Sequence, residues 1–195
     1  MGVAVDSIDM ASGWFAKEVL DDVTKPSVGS IIVRVPKMAN GVEYLVNQLH
    51  RLVRPKNLWV LRIWGHGGVG MQLASAGEDA TYDPDWGAGL SVFNFSGLED
   101  KLETLRPLFI SEKARIELRG CIAGFGAFGS QLMMKLANTC GCRVHASDEF
   151  QAGNNWRGQV WEANPYWSIR KVHGYDIYGG FTPNYMPATN GWSYY

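Results

Sequence analysis

Two hydrophobic runs constrain this chain more than any other feature. Leu58-Trp59-Val60-Leu61-Arg62-Ile63-Trp64 leads into Gly65-His66-Gly67-Gly68, and Ala114-Arg115-Ile116-Glu117-Leu118-Arg119 leads into Gly120-Cys121. Each is short and runs into glycine; the first is rich in β-branched and aromatic residues and the second alternates Ile116 and Leu118 with charged residues, and both read as strands. The first is largely apolar on both faces, as a central strand covered on both sides must be. Strands of this kind separated by helical patterns predict an α/β fold with a mostly parallel central sheet and helices on both faces.

The intervening sequence supplies the helices. Ser30–Val35 reads as a strand that Pro36 ends. Val42, Leu45, Val46, Leu49, Leu52 and Val53 then recur at helical spacing, with Asn40 as a cap and Pro55 as a stop. Residues 65–95 form a long connection with a small hairpin around Met71-Gln72-Leu73, and loops of that length are usually functional or carry structure of their own. Ser96-Gly97-Leu98-Glu99 has the form of a capping box, predicting a helix that ends just before Pro107. Phe128, Leu132, Met133, Leu136 and Ala137 mark one more helix, stopped by Gly141, and Cys142–Ser147 reads as a further strand.

The 195 residues predict a single domain, 1–195, in three stretches. Residues 1–28 are an extension with one short amphipathic helix around Trp14, Phe15, Val19 and Leu20, and residues 30–150 are the α/β core. Residues 151–195 are aromatic and loop-rich, and are expected to wrap the sheet edge or the site mouth.

A net charge of −1 and no run of Lys or Arg remove the electrostatic case for nucleic acid or an anionic membrane surface. No apolar stretch approaches the roughly 20 residues of a membrane span. The start lacks a basic region followed by an apolar core, so no signal peptide is predicted. Three cysteines are an odd number, and Cys140 and Cys142 are too close for an easy mutual bridge. Free thiols and a cytoplasmic, reducing compartment are expected.

His66 and Cys121 each close a strand, which in a parallel sheet is the edge where chemistry is presented. A thiol attacks a carbonyl as a thiolate, and a neighbouring imidazole takes its proton and later returns it to the leaving group. Adjacent strands would bring the two together although 55 residues separate them. Gly67 lets backbone approach a substrate, and its N–H with that of Cys121 can face a developing oxyanion. The expected chemistry is hydrolysis through a His66/Cys121 dyad, with no cofactor and no metal. Cys140, Cys142 and His145 superficially resemble metal ligands, but Cys142 and His145 fall on opposite faces of one strand. Arg62, Glu117 and Arg119 are expected to form ion pairs within the sheet.

A hydrophobic strand running into His-Gly, then a second running into Cys, resembles the caspase-like cysteine peptidases. The separation agrees with the roughly 50 residues given for caspases. Gly120–Gly124, the helix to Ala137 and Gly141–Asp148 are also similar to caspase-like domains of bacterial surface and toxin proteins. The likeness covers about residues 30–150. It implies a three-layer sandwich, a cysteine endopeptidase acting on a protein or peptide substrate, and a regulatory or inhibitory protein partner. The chain departs from caspases at Arg119-Gly120, where they have Gln-Ala, and at Ala123, where they have Gly, which speaks against aspartate specificity. Asp148 matches an acidic pocket residue of several relatives, implying a preference for Arg or Lys.

Two other readings stand beside this one. Gly124-Phe125-Gly126-Ala127-Phe128-Gly129 matches the G-x-G-x-x-G of dinucleotide-binding folds, with Asp148 about 20 residues on. It lies late in the chain and several residues past the strand it should follow. The third reading is a caspase-like binding domain without catalysis.

Overall fold

The computed structural model describes residues 2–10, 13–23, 30–75, 88–151, 156–166 and 168–172. Strand β1 (Val3–Asp9) leads to helix α1 (Trp14–Val23), β2 (Ile31–Val35), α2 (Gly41–Leu52) and β3 (Leu58–Trp64). Three short strands follow, β4 (Gly67–Gly68), β5 (Met71–Leu73) and β6 (Gly89–Ser91), then α3 (Phe95–Glu103) and a 3-10 turn at Arg106–Leu108. The chain continues through β7 (Arg115–Leu118), α4 (Gly126–Cys140), β8 (Arg143–Ser147), β9 (Val160–Asn164) and β10 (Ser168–Val172).

Among the described residues, seven strands form the central sheet in the order β10-β9-β8-β7-β3-β1-β2. Pairs within β2-β1-β3-β7-β8 are parallel, and β9 pairs antiparallel with both β8 and β10. The order reverses between β1 and β3, the kind of topological switch point beside which open α/β sheets bind ligands. The switch also divides the helices, because right-handed crossovers on its two sides leave the sheet by opposite faces. Helix α1 buries Ala16 and Val19 with Ile8 and Trp64 on one face. The main core lies on the other, where residues of α2, α3 and α4 pack on Val5, Leu61, Ile63, Ile116, Leu118, Val144 and Ala146.

Residues 1–28 are therefore not an extension. They supply β1, which lies between β2 and β3. The capping box is not formed either, because Ser96 lies inside α3 and Asn94 precedes the helix. Asn94 Oδ1 accepts the Ser91 N–H at 2.9 Å and so closes the turn from β6. Gly141 ends α4 at φ 66, the left-handed conformation glycine adopts without strain.

The face bearing α1 carries a row of ionisable side chains, buried from β1 to β9 and half-buried at Arg170. In register across the sheet stand Asp6, Arg62, Glu117, His145, Glu162 and Arg170, one from each strand from β1 to β10. Neighbours in the row pair closely: Arg62 to Asp6 at 3.2 Å, Arg62 to Glu117 at 3.5 Å, His145 to Glu162 at 2.8 Å and Arg170 to Glu162 at 2.6 Å. Arg115 adds a 2.7 Å contact to Glu117. The intrasheet ion pairs expected of Arg62, Glu117 and Arg119 are thus present, and each buried charge has an opposite charge beside it. No helix among the described residues is long and apolar enough to cross a membrane.

Candidate active site

Strand β3 ends at Trp64, and His66 follows it, exposed. The adjacent strand β7 ends at Leu118, and Cys121 follows it, half-buried. Both segments therefore leave the same sheet edge from neighbouring parallel strands. They also touch. A Cβ built on Gly67 would lie 2.7 Å from both the backbone N and the backbone O of Cys121. Glycine at 67 is what lets the Gly120–Cys121 backbone rest on the face of β4.

A second contact fixes this approach. Gln72 is fully buried, and its Oε1 accepts the Gly120 N–H at 2.6 Å while its Nε2 donates to the Leu73 carbonyl at 2.9 Å. Gln72 stands opposite Gly67 in the β4–β5 pair. Opposed residues share a face, so the Gln72 side chain and the missing Gly67 side chain both address Gly120–Cys121. The His66 carbonyl accepts from Leu73 N, which makes Gly67–Gln72 a non-hydrogen-bonded pair. The Gly67 N–H consequently points away from β5, out of the edge strand of the β4-β5-β6 sheet.

The loop carrying the thiol is pinned to the end of β8. Ile122 N donates to Glu149 O at 2.9 Å and Gly124 N to Ser147 O at 2.8 Å. Ile122 sits at φ 46, a left-handed backbone that a β-branched residue adopts only when its surroundings impose it. Cys121 Sγ lies 3.5 Å from the Gln151 carbonyl, which accepts from the thiol. Gln151 is itself held, its Nε2 donating to Glu149 O at 2.9 Å and Arg157 O at 3.0 Å.

Beneath the loop, Arg119 is stacked between two indoles. Its guanidinium carbon is 4.7 Å from the ring centre of Trp64 and 3.9 Å from that of Trp156. Glu117 lies fully buried among Arg115, Arg62 and Arg119. Burial works to raise its pKa, but the three guanidinium groups and the Arg115 hydrogen bond outweigh burial and hold it at about 2.

Asp148 lies at the end of β8. Its Oδ1 accepts the Gln159 N–H at 2.9 Å and its Oδ2 the Trp161 Nε1–H at 3.2 Å. Both oxygens serve the β8–β9 turn, an ordinary task for aspartate. Two glycines of the G-x-G-x-x-G stretch, Gly124 and Gly129, are occupied with packing, whereas Gly126 has open space around it and a left-handed φ of 66. A Cβ on Gly124 would lie 3.1 Å from Ala146, and one on Gly129 would lie 2.3 Å from the Gly124 carbonyl carbon. Gly124 also stands six positions beyond the last residue of β7, not in a tight turn directly after it. Cys142 packs in the main core, whereas His145 faces Glu162 in the charged row. Of the aromatic, loop-rich stretch 151–195, residues 152–155, 167 and 173–195 fall outside the described residues.

Sequence reasoning missed Gln72, Gln151 and the backbone of Ile122. A polar residue between Met71 and Leu73 was the one visible signal, and its role appears only once the hairpin folds back onto Gly120. Comparison with family models, with curated proteins and with solved structures finds no match.

Proposed function

We propose that this chain is a cysteine peptidase of caspase-like type, hydrolysing peptide bonds in a protein substrate through Cys121 and His66. His66 takes the thiol proton as the sulfur attacks the scissile carbonyl carbon. The resulting oxyanion accepts hydrogen bonds from the N–H groups of Gly67 and Cys121. Collapse of the tetrahedral species breaks the C–N bond, and the proton held by His66 passes to the leaving amine. Water, deprotonated by His66, then hydrolyses the thioester and regenerates the thiol.

The observation that carries this reading is the Gly67–Cys121 backbone contact, 2.7 Å for a Cβ that glycine lacks. It brings an exposed imidazole and a half-buried thiol to one sheet edge beside an outward N–H. The parallel order β2-β1-β3-β7-β8, with His-Gly and Cys after adjacent strands, agrees with the family resemblance. All three cysteines are free, as a reducing compartment would leave them.

The test is cleavage of an unfolded protein such as reduced casein by the wild-type chain and by Cys121→Ala. The reading requires cleavage by the former and none by the latter, with both unfolding cooperatively. Cleavage that survives in Cys121→Ala, or none by either protein, would overturn it.

A further inference from the structure

The dyad segments continue into a cluster of exposed apolar side chains. Val69, two residues beyond Gly67, is 42% exposed, and Phe125, four beyond Cys121, is 52% exposed. Phe128 is 45% exposed and Phe93 is 71% exposed. Exposed apolar side chains that lie together, unlike ones scattered singly, mark binding surfaces.

Phe93 and Phe128 meet directly, and backbone contacts bring the segments of Val69 and Phe125 beside them. The turn of the β4–β5 hairpin rests on the first turn of α4, where a Cβ on Gly70 would lie 2.6 Å from the Phe128 Cβ. The Phe128 and Phe93 rings are 5.4 Å apart and tilted by 54°, a favourable aromatic geometry. The Ile122 carbonyl accepts the Phe125 N–H at 3.0 Å, so a single turn links Phe125 to the thiol loop. Two residues of extended chain span about 7 Å, which sets the scale from Gly67 to the apolar tip. Asp148, the acidic group that would select Arg or Lys, already accepts two internal hydrogen bonds.

We propose that Val69, Phe93, Phe125 and Phe128 form a specificity surface that receives bulky apolar side chains of an extended substrate peptide lying across Cys121. This rests on the peptidase reading for its placement beside the scissile bond. The substrate class is then an unfolded or extended segment carrying Leu, Phe or Met near the cut, rather than one marked by a basic residue. Burying one such side chain against the rings favours binding by about tenfold or more over a serine-bearing peptide.

The test uses Cys121→Ala and two fluorescein-labelled octapeptide pools, one with Phe or Leu at three central positions and the other with Ser there. Fluorescence anisotropy should show about tenfold tighter binding of the apolar pool. Adding Phe93→Ser and Phe128→Ser should remove that preference. Phe93→Ser alone should weaken it, so a folding defect in the combined variant does not shield the proposal. Equal binding of the two pools, binding of neither, or a preference unchanged by the substitutions would overturn it. Cleavage by the chain with Cys121 intact is scored separately. Apolar binding without cleavage keeps the surface and removes the peptidase reading, whereas cleavage without apolar binding removes the surface alone.

Discussion

Gly67 and Cys121 meet backbone to backbone, with no room between them for a methyl group. The contact joins the end of β3 to the end of β7, and the proposed chemistry depends on it. Gly67→Ala forces 2.7 Å clashes with main-chain atoms, which cannot rotate out of the way as a flexible side chain can. The two segments must move apart. A displacement on the order of 1 Å costs about 100-fold in rate where reacting groups must align. Casein cleavage by Gly67→Ala should fall by that order, with far-UV circular dichroism unchanged.

Gln72 locks the same junction. Gln72→Ala leaves the Gly120 N–H without its acceptor, a loss of about 1–3 kcal/mol for a buried donor. The melting temperature should fall by several degrees, since about 1 kcal/mol corresponds to roughly 2–4 °C at this size. The turnover number should fall with it while the Michaelis constant changes little. A variant as stable and as active as wild type would show that the 2.6 Å bond does not hold the loop.

Stability should fall with acid in two stages. Burial pushes the His145 imidazole below its usual range despite the Glu162 carboxylate beside it. The unfolded chain therefore takes up that proton first, and stability present above about pH 6.5 declines below it. Glu117, held at about 2 in the fold against an ordinary 4.5, contributes stability that is present above pH 4.5 and is lost as the pH falls toward 2. Glu117→Gln should flatten the lower stage in urea titrations from pH 2 to 7. It should also cost about 3–5 kcal/mol at neutral pH, because three arginines lose their shared carboxylate.

Arg119 tests the stacked support beneath the thiol loop. Arg119→Lys keeps the charge but loses the planar group between Trp64 and Trp156. A loss of about 1–2 kcal/mol is expected, with a red shift in tryptophan emission as the rings loosen. An unchanged spectrum and melting curve would count against the sandwich.

Much of the sheet was legible because its strands are locally self-evident. Leu58–Trp64 and Ile31–Val35 carry enough β-branched and apolar residues to announce themselves. Strand β1 was hidden because Asp6, Ser7 and Asp9 interrupt its apolar run. Asp6 is tolerated there only because Arg62 at 3.2 Å and the Trp64 Nε1–H at 2.8 Å meet it from β3. A partner more than fifty residues away leaves no local trace. The same holds for Arg62, a single charge on a face of β3 that Leu58, Val60 and Trp64 otherwise keep apolar. At the site, His66, Gly67 and Cys121 could be named because each ends a recognisable strand. Gln72 and Gln151 could not, since what they hold exists only after the hairpin and the β8–β9 turn have folded onto Cys121. Asp148 shows the reverse, a residue singled out for a pocket whose carboxylate is taken up by the Gln159 N–H and the Trp161 indole.

The proposed pairing of His66 with Cys121 is tested most directly by the rate of iodoacetamide alkylation at Cys121, followed by peptide mass mapping near neutral pH. Cys140 and Cys142 serve as silent controls, since burial pushes the Cys140 thiol up to about 12 and the Cys142 thiol well above its usual range. Cys121 should be labelled first in the wild-type chain, and His66→Ala should slow it by about tenfold or more while the fold stays intact. Equal alkylation rates in the two proteins would mean that the imidazole does not activate the sulfur, and the account of the site would fail.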